Sequence, residues 1–223
     1  MKLNRTTFAA AVAVMVCLWA NMAQASITGS AHDFGKLSWS GNQTCAPCHT
    51  PHNAIVKDQN GAVVAGPLWN HTLSNASYTM YETPQANGKT TGEVDQNSKL
   101  CLSCHDGTVA LDSFGGLTGN QQIGIAGNLG TDLSDDHPIG ETAIWPNPNP
   151  AYMVDPSLRT TAGIMPLRPM ADGRLAVGCT SCHEPHNRKG TLHMLWVNNA
   201  GSGTTVDGRT VSGSLLCQNC HKK

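Results

Sequence analysis

Cys45-Ala46-Pro47-Cys48-His49 is the first of four segments in which two cysteines three positions apart are followed at once by a histidine. The others are Cys101–His105, Cys179–His183 and Cys217–His221. No other feature restricts the fold as strongly. Cysteines at i and i+3 lie on one face of a helical turn, so each pair can meet one edge of a flat group while the next imidazole reaches its centre. That is the signature of covalent c-type haem attachment. It makes Cys45, Cys48, Cys101, Cys104, Cys179, Cys182, Cys217 and Cys220 the thioether-forming residues. His49, His105, His183 and His221 become the proximal iron ligands. A zinc ribbon also uses CxxC pairs, two to a tetrahedral site, but it does not require a histidine after every pair.

The chain has nine cysteines. The ninth, Cys17, lies in a segment that reads as a secretory signal peptide over 1–25. Lys2 and Arg5 form its basic region, Phe8 to Ala20 its apolar run, and Ala23-Gln24-Ala25 its cleavage site. The run is too short for a membrane span, and Val16 before Cys17 is too bulky for a lipoprotein signal, so no transmembrane or lipid anchor is expected. The remaining eight cysteines are consumed by the motifs. An exported chain usually spends its cysteines on disulfides; this one has none to spare.

Little else in the sequence builds a core. The chain is 39% apolar and 5% aromatic, with 23 glycines and 12 prolines. Intervals such as Ser113–Gly130 and Trp145–Pro150 exclude long helices. The expected fold is mostly coil with short helices at the haem motifs and little or no β-sheet, wrapped around a stack of four haems that supply the missing interior. The haem-free chain is then expected to be largely unfolded, because a group bound only by the folded state stabilises it. Without Lys2 and Arg5 the net charge is −3, and two propionates on each haem bring it to about −11. That argues against nucleic acid as a partner.

An internal duplication organises residues 26–223. Cys45–Asn53 and Cys179–Asn187 share the pattern C-x-x-C-H-x-P-H-N. Each is followed by a leucine-led plain motif, and each half carries a Leu-Trp pair, Leu68-Trp69 and Leu195-Trp196. Each half also opens with a histidine, His32 or His137. The result is one tetrahaem domain of two dihaem halves, about 26–115 and 130–223.

Six histidines stand outside the motifs. His52 and His186 are equivalent in the repeat, as are His32 and His137, and these four are the candidate distal ligands. His71 and His193 have no repeat partner. His52 and His186 each lie three residues after a proximal histidine, too close to pass round the same porphyrin, so each must reach a neighbouring iron. Met80, Met153, Met165, Met170 and Met194 offer His/Met coordination, which would raise a potential, but there are histidines enough for every iron. Asp132, Asp135 and Asp136 read as turn residues rather than a calcium site. Trp39, Trp69, Trp145 and Trp196 read as haem packing.

The segments Ser30–Gly35, Cys45–Asn53, Pro67–His71, Leu100–Ala110, Asp136–Gly140 and Cys179–Asn187 together resemble the paired-CxxCH multihaem c-type cytochromes. Haem number, length and export signal are similar to the extracellular tetrahaem nanowire cytochromes, which polymerise into filaments. The resemblance implies four covalent haem c groups and His32, His52, His137 and His186 as distal ligands. It also implies self-association in which one haem is completed by a histidine of the adjacent subunit. Since His32 lies near the expected mature N-terminus and His221 near the C-terminus, His32 is the ligand expected to reach the neighbouring subunit's haem.

The reading is therefore an electron carrier and not an enzyme, secreted to the extracellular space or outer cell surface, with the periplasm as the alternative. Its partners would be redox proteins or extracellular electron acceptors. A monomeric periplasmic shuttle shares the same motifs. A multihaem reductase would need one open iron, and no variant motif marks one.

Overall fold

Glycine and proline break the chain into short pieces, and among the described residues only one helix exceeds a single turn. The computed structural model describes residues 27–64, 66–83, 91–146, 153, 165–197, 204–206, 209–211 and 214–221. The expected signal segment, residues 1–25, lies outside them. Helix α1 spans Gln96–His105 and holds the second motif in its last turn. It starts where it does because Asp95 accepts hydrogen bonds from the backbone N–H groups of Asn97 (3.1 Å) and Ser98 (3.0 Å), which closes two otherwise unpaired donors.

Helices α2 (Cys179–Cys182) and α3 (Leu215–Gln218) are single turns on the third and fourth motifs. The first motif is a turn closed by the His49 N–H on the Cys45 carbonyl at 2.8 Å. The same bond recurs from His183 to Cys179 and from His221 to Cys217, both at 2.9 Å. One helical turn of backbone at each motif is what brings two thiols to one side.

Little or no sheet was expected. Among the described residues, seven strands of two or three residues form three small sheets. β1 (Thr79–Met80) pairs in parallel with β2 (Asp132–Leu133). β3 (Ile144–Trp145) and β4 (Arg168–Pro169) flank β5 (Leu175–Ala176) antiparallel. β6 (Thr204–Val206) and β7 (Arg209–Val211) form a hairpin. The cause is that extended segments still carry a donor and an acceptor at each residue other than proline, and these pair wherever two segments run side by side.

The two halves interlock. β1 and β2 come from opposite sides of the glycine-rich linker, the Glu141 N–H donates to the Glu93 carbonyl at 2.9 Å, and the Thr83 hydroxyl donates to the Thr142 carbonyl at 2.9 Å. Between them sits a small apolar cluster of Tyr78, Met80, Val94, Leu102 and Leu133. Met80 is therefore core, and Met165 and Met170 are buried as well. Asp132 accepts from the Ser134 N–H at 3.1 Å, a turn role.

The duplication survives in the backbone, shifted by one residue from the Leu-Trp alignment. Thr50 N–H donates to the Leu68 carbonyl and Glu184 N–H to the Met194 carbonyl, while Asn70 N–H reaches Cys48 and Trp196 N–H reaches Cys182. Leu68 thus corresponds to Met194, not Leu195. Both adopt left-handed backbone, φ 54° and 55°, as do Asn53 and Asn187 at 58° and 51°.

Candidate haem sites

A histidine can ligate iron only through a nitrogen lone pair, so the partner of its other nitrogen decides its readiness. The His49 Nδ1–H donates to the Pro67 carbonyl at 2.8 Å, His105 to Gly127 at 2.7 Å, and His183 to His193 at 2.9 Å. A carbonyl can only accept, so Nδ1 carries the proton in each, and Nε2 is left with its lone pair. Candidate distal histidines follow the same rule. The His137 Nδ1–H donates to the Pro138 carbonyl at 2.9 Å, His32 to Pro185 at 3.4 Å, and His186 to the Glu184 carboxylate at 3.2 Å.

Three motif histidines then find a second imidazole across a gap. Ring centroids are 6.0 Å apart for His32 and His105, 6.1 Å for His49 and His186, and 6.2 Å for His137 and His221. A metal–imidazole bond of about 2 Å, with roughly 1 Å more from nitrogen to ring centre, puts two axial rings roughly 6 Å apart. Each pair joins one motif histidine to one from outside the motifs. The ring planes meet at 49°, 16° and 78° respectively.

His32, expected to reach a neighbouring subunit's haem, faces His105 of its own chain. Asp33 explains why the N-terminal arm lies down: its carboxylate accepts from the Gly29 N–H at 2.7 Å and pairs with Lys36 at 3.1 Å. Burial, then the nearby His105, holds the His32 imidazole below its ordinary pKa, in the neutral form a ligand requires.

His183 and His52 are left over. Both are exposed, and among the described residues neither ring meets a second imidazole. His71 is different. It is 1% exposed, with Nδ1 2.8 Å from the Thr72 carbonyl and Nε2 3.1 Å from that of Ala110. Burial holds its pKa below the ordinary value, so the neutral ring donates from one nitrogen only, and Nε2 also lies 3.4 Å from the Cys104 thiol. His193 contributes its backbone carbonyl to His183, from a left-handed residue at φ 57°.

Glu184 was not singled out from the sequence. Its carboxylate, 1% exposed, receives the N–H groups of His186 (3.2 Å) and Arg188 (2.6 Å), the His186 ring, and the Arg188 guanidinium at 3.3 Å. Burial pushes its pKa up, but these donors outweigh that and leave it below the ordinary carboxylate range. The available signal was one of the three unequal positions between the two repeats, Thr50 against Glu184.

The attachment motifs adjoin one another. α1 packs on α2, where the Cys179 N–H donates to the Ser98 hydroxyl at 2.9 Å and the Cys101 and Cys179 thiols are within hydrogen-bonding reach. Cys48 is in electrostatic reach of Cys101 and Cys104, and Cys182 of Cys217 and Cys220. Burial pushes the Cys48 thiol up to about 11 and the Cys104 thiol up to about 12, so both are neutral at pH 7.

Buried donors also lack protein partners here: Trp69 Nε1, Thr180 Oγ1 and Arg168 Nε. Trp69 stands edge-on to His49, 6.4 Å between centroids, Thr180 lies within the third motif, and Arg168 donates to the Thr180 carbonyl at 3.3 Å. Among the described residues no group of three or more His, Cys, Asp or Glu side chains could hold an ion unaided. The donor set fits four covalently held haem groups better than a zinc ribbon.

Among the described residues no helix is long and apolar enough to cross a membrane. No protein-family model matches the chain, and no curated protein shows significant similarity to it.

Proposed function

We propose that this protein is an exported tetrahaem c-type cytochrome that carries electrons along closely spaced, bis-histidine haems and works as the repeating subunit of an extracellular filament. The observation that carries the reading is the set of three facing imidazole pairs at 6.0–6.2 Å, each with a motif histidine on one side. Haem c supplies reversible one-electron exchange at its iron when bound.

The chain's residues hold and orient that group. Eight cysteines fix its edges. The carbonyls of Pro67, Gly127 and His193 fix the proximal rings in the Nδ1–H form. His32, His186 and His137 would hold the same groups from the side opposite the motif histidines. An iron so held would have no site open to a substrate, which suits electron transfer and disfavours a reductase. Contact between motifs keeps the groups close enough for fast transfer.

Self-association is the part supported by the fourth site. Among the described residues His183 faces no second imidazole, so on this reading a lone chain would have one unsaturated iron, which a neighbour would complete. The filament reading therefore no longer depends on His32.

The test is to express the chain with haem-attachment machinery, count haems by pyridine haemochrome, and expose the reduced secreted protein to carbon monoxide. Four haems per chain with no response to the gas is the expected result, together with continuous thin filaments in electron micrographs. Fewer than four haems, or carbon monoxide binding in the assembled protein, would overturn the reading.

A further inference from the structure

The three facing pairs obey two rules. The histidine that opens a half faces the second motif of its own half, His32 opposite His105 and His137 opposite His221. The histidine that follows the motif proline faces the first motif of the other half, His186 opposite His49. The first rule is used twice and the second once.

The backbone around the two first motifs is nearly the same. A carbonyl from the paired segment holds Nδ1 in both, that of Pro67 for His49 and that of His193 for His183. The next residue is left-handed in both, Leu68 and Met194, and so are the asparagines that close the repeats, Asn53 and Asn187. His183 is thus prepared as His49 is, with an exposed ring. His52 is presented as His186 is, and its ring is exposed and makes no contact among the described residues.

We infer that His52 of one copy stands on the His183 site of the next copy as His186 stands on His49, so the junction between copies repeats the junction between halves. This rests on the haem reading above and names the residue that closes the fourth site. Each chain then carries one donor, His52, and one acceptor, His183, both exposed. A contact of that kind is heterologous and grows without limit unless its rotation closes a ring.

The inferred junction departs from its template at one point. Glu184 holds the His186 ring, whereas Thr50 uses its hydroxyl to donate to the His52 carbonyl at 2.8 Å and leaves the ring unheld. His52 is therefore held less firmly before it docks than His186 is, and Thr50→Glu is expected to pre-set it and speed assembly.

The experiment uses the haem-loaded full chain. His52→Ala is expected to keep four haems, since it ligates none in its own chain, but to stop at single chains with one iron in four binding carbon monoxide. Added imidazole should return that iron to the low-spin spectrum without restoring assembly. Small amounts of His52→Ala mixed into the native protein should shorten filaments in proportion, because such chains accept a neighbour and cannot offer a ligand. Normal filaments from His52→Ala, or loss of a haem from the variant, would overturn the inference. Absence of haem from the native protein would overturn the proposed function itself.

Discussion

His186 faces His49 with ring planes only 16° apart and centroids 6.1 Å apart, across the boundary between the two halves. A residue of the second CxxCHxPHN repeat thereby stands opposite the motif histidine of the first. His137 and His221 meet at nearly the same distance, 6.2 Å, but at 78°. Two facing histidine pairs thus differ in ring orientation.

That difference should be visible in frozen, oxidised protein by electron paramagnetic resonance. Parallel imidazole planes split the two iron orbitals that interact with the rings, and perpendicular planes leave them nearly degenerate. The His49–His186 haem is expected to give a rhombic low-spin spectrum. The His137–His221 haem should give the highly anisotropic type with a single large g value. In His137→Ala the large-g signal should vanish while the rhombic one stays.

Glu184 should tune one haem alone. Its ionised carboxylate accepts the His186 Nδ1–H at 3.2 Å, which makes the ring a stronger donor to iron and favours the oxidised state. Glu184→Gln is expected to raise the potential of the His49–His186 haem and weaken its distal ligation by about 10–100-fold, the usual effect of losing such a partner. Redox titration followed by spectroscopy should show one of four steps moving upward. Uniform movement of all four would count against a local role.

The contact between α1 and α2 should be intolerant of a single methyl group. Gly178 has φ −140°, which suits any residue, but a Cβ there would overlap the Asp95 carboxylate that caps α1. Gly178→Ala is expected to cost about 1–3 kcal/mol, as overpacking does. Gly173→Ala faces open space with φ +85°, so only left-handed strain of about 1–2 kcal/mol applies. Thermal unfolding of the haem-loaded variants would rank them, and a change in the second and third haems' spectra is expected for Gly178→Ala alone.

Asp95 should also give stability a pH dependence. Burial raises its pKa above the ordinary 3.8, so the native state holds this proton more tightly than the unfolded chain does. Its contribution is complete below 3.8 and is lost as pH rises through the folded value. Asp95→Asn keeps a side-chain oxygen for the α1 amides and removes the buried charge. The variant should therefore gain melting temperature relative to the native protein at pH 7 and lose that advantage at pH 3.

The motifs and the repeat singled out the histidines that the structure pairs, His49 with His186 and His137 with His221. That His32 lies against His105 was not legible, because distance along the chain from the N-terminus says nothing of where Asp33 pins the arm. The Leu-Trp alignment failed for a related reason. Register around each first motif is set by backbone bonds to Cys48 and Cys182, which carry no residue identity, so Leu68 and Met194 became equivalent with no likeness between them. Pro67, Gly127 and His193 act through carbonyls, and sequence patterns do not mark a carbonyl.

Removing the haems should remove most of the fold. The described apolar cluster has five members, Tyr78, Met80, Val94, Leu102 and Leu133. Fully burying a large apolar side chain contributes about 1.5–3 kcal/mol, whereas ordering each residue costs roughly 1–2 kcal/mol in backbone entropy. Even the thirteen buried apolar residues among those described cannot hold a chain of this length, and the strands of two or three residues add few cooperative bonds. A variant with all eight motif cysteines changed to alanine is expected to show a coil-like circular dichroism spectrum and no cooperative thermal transition. Restoring only Cys101, Cys104, Cys179 and Cys182, the two attachments that pack through α1 and α2, should recover a partial transition.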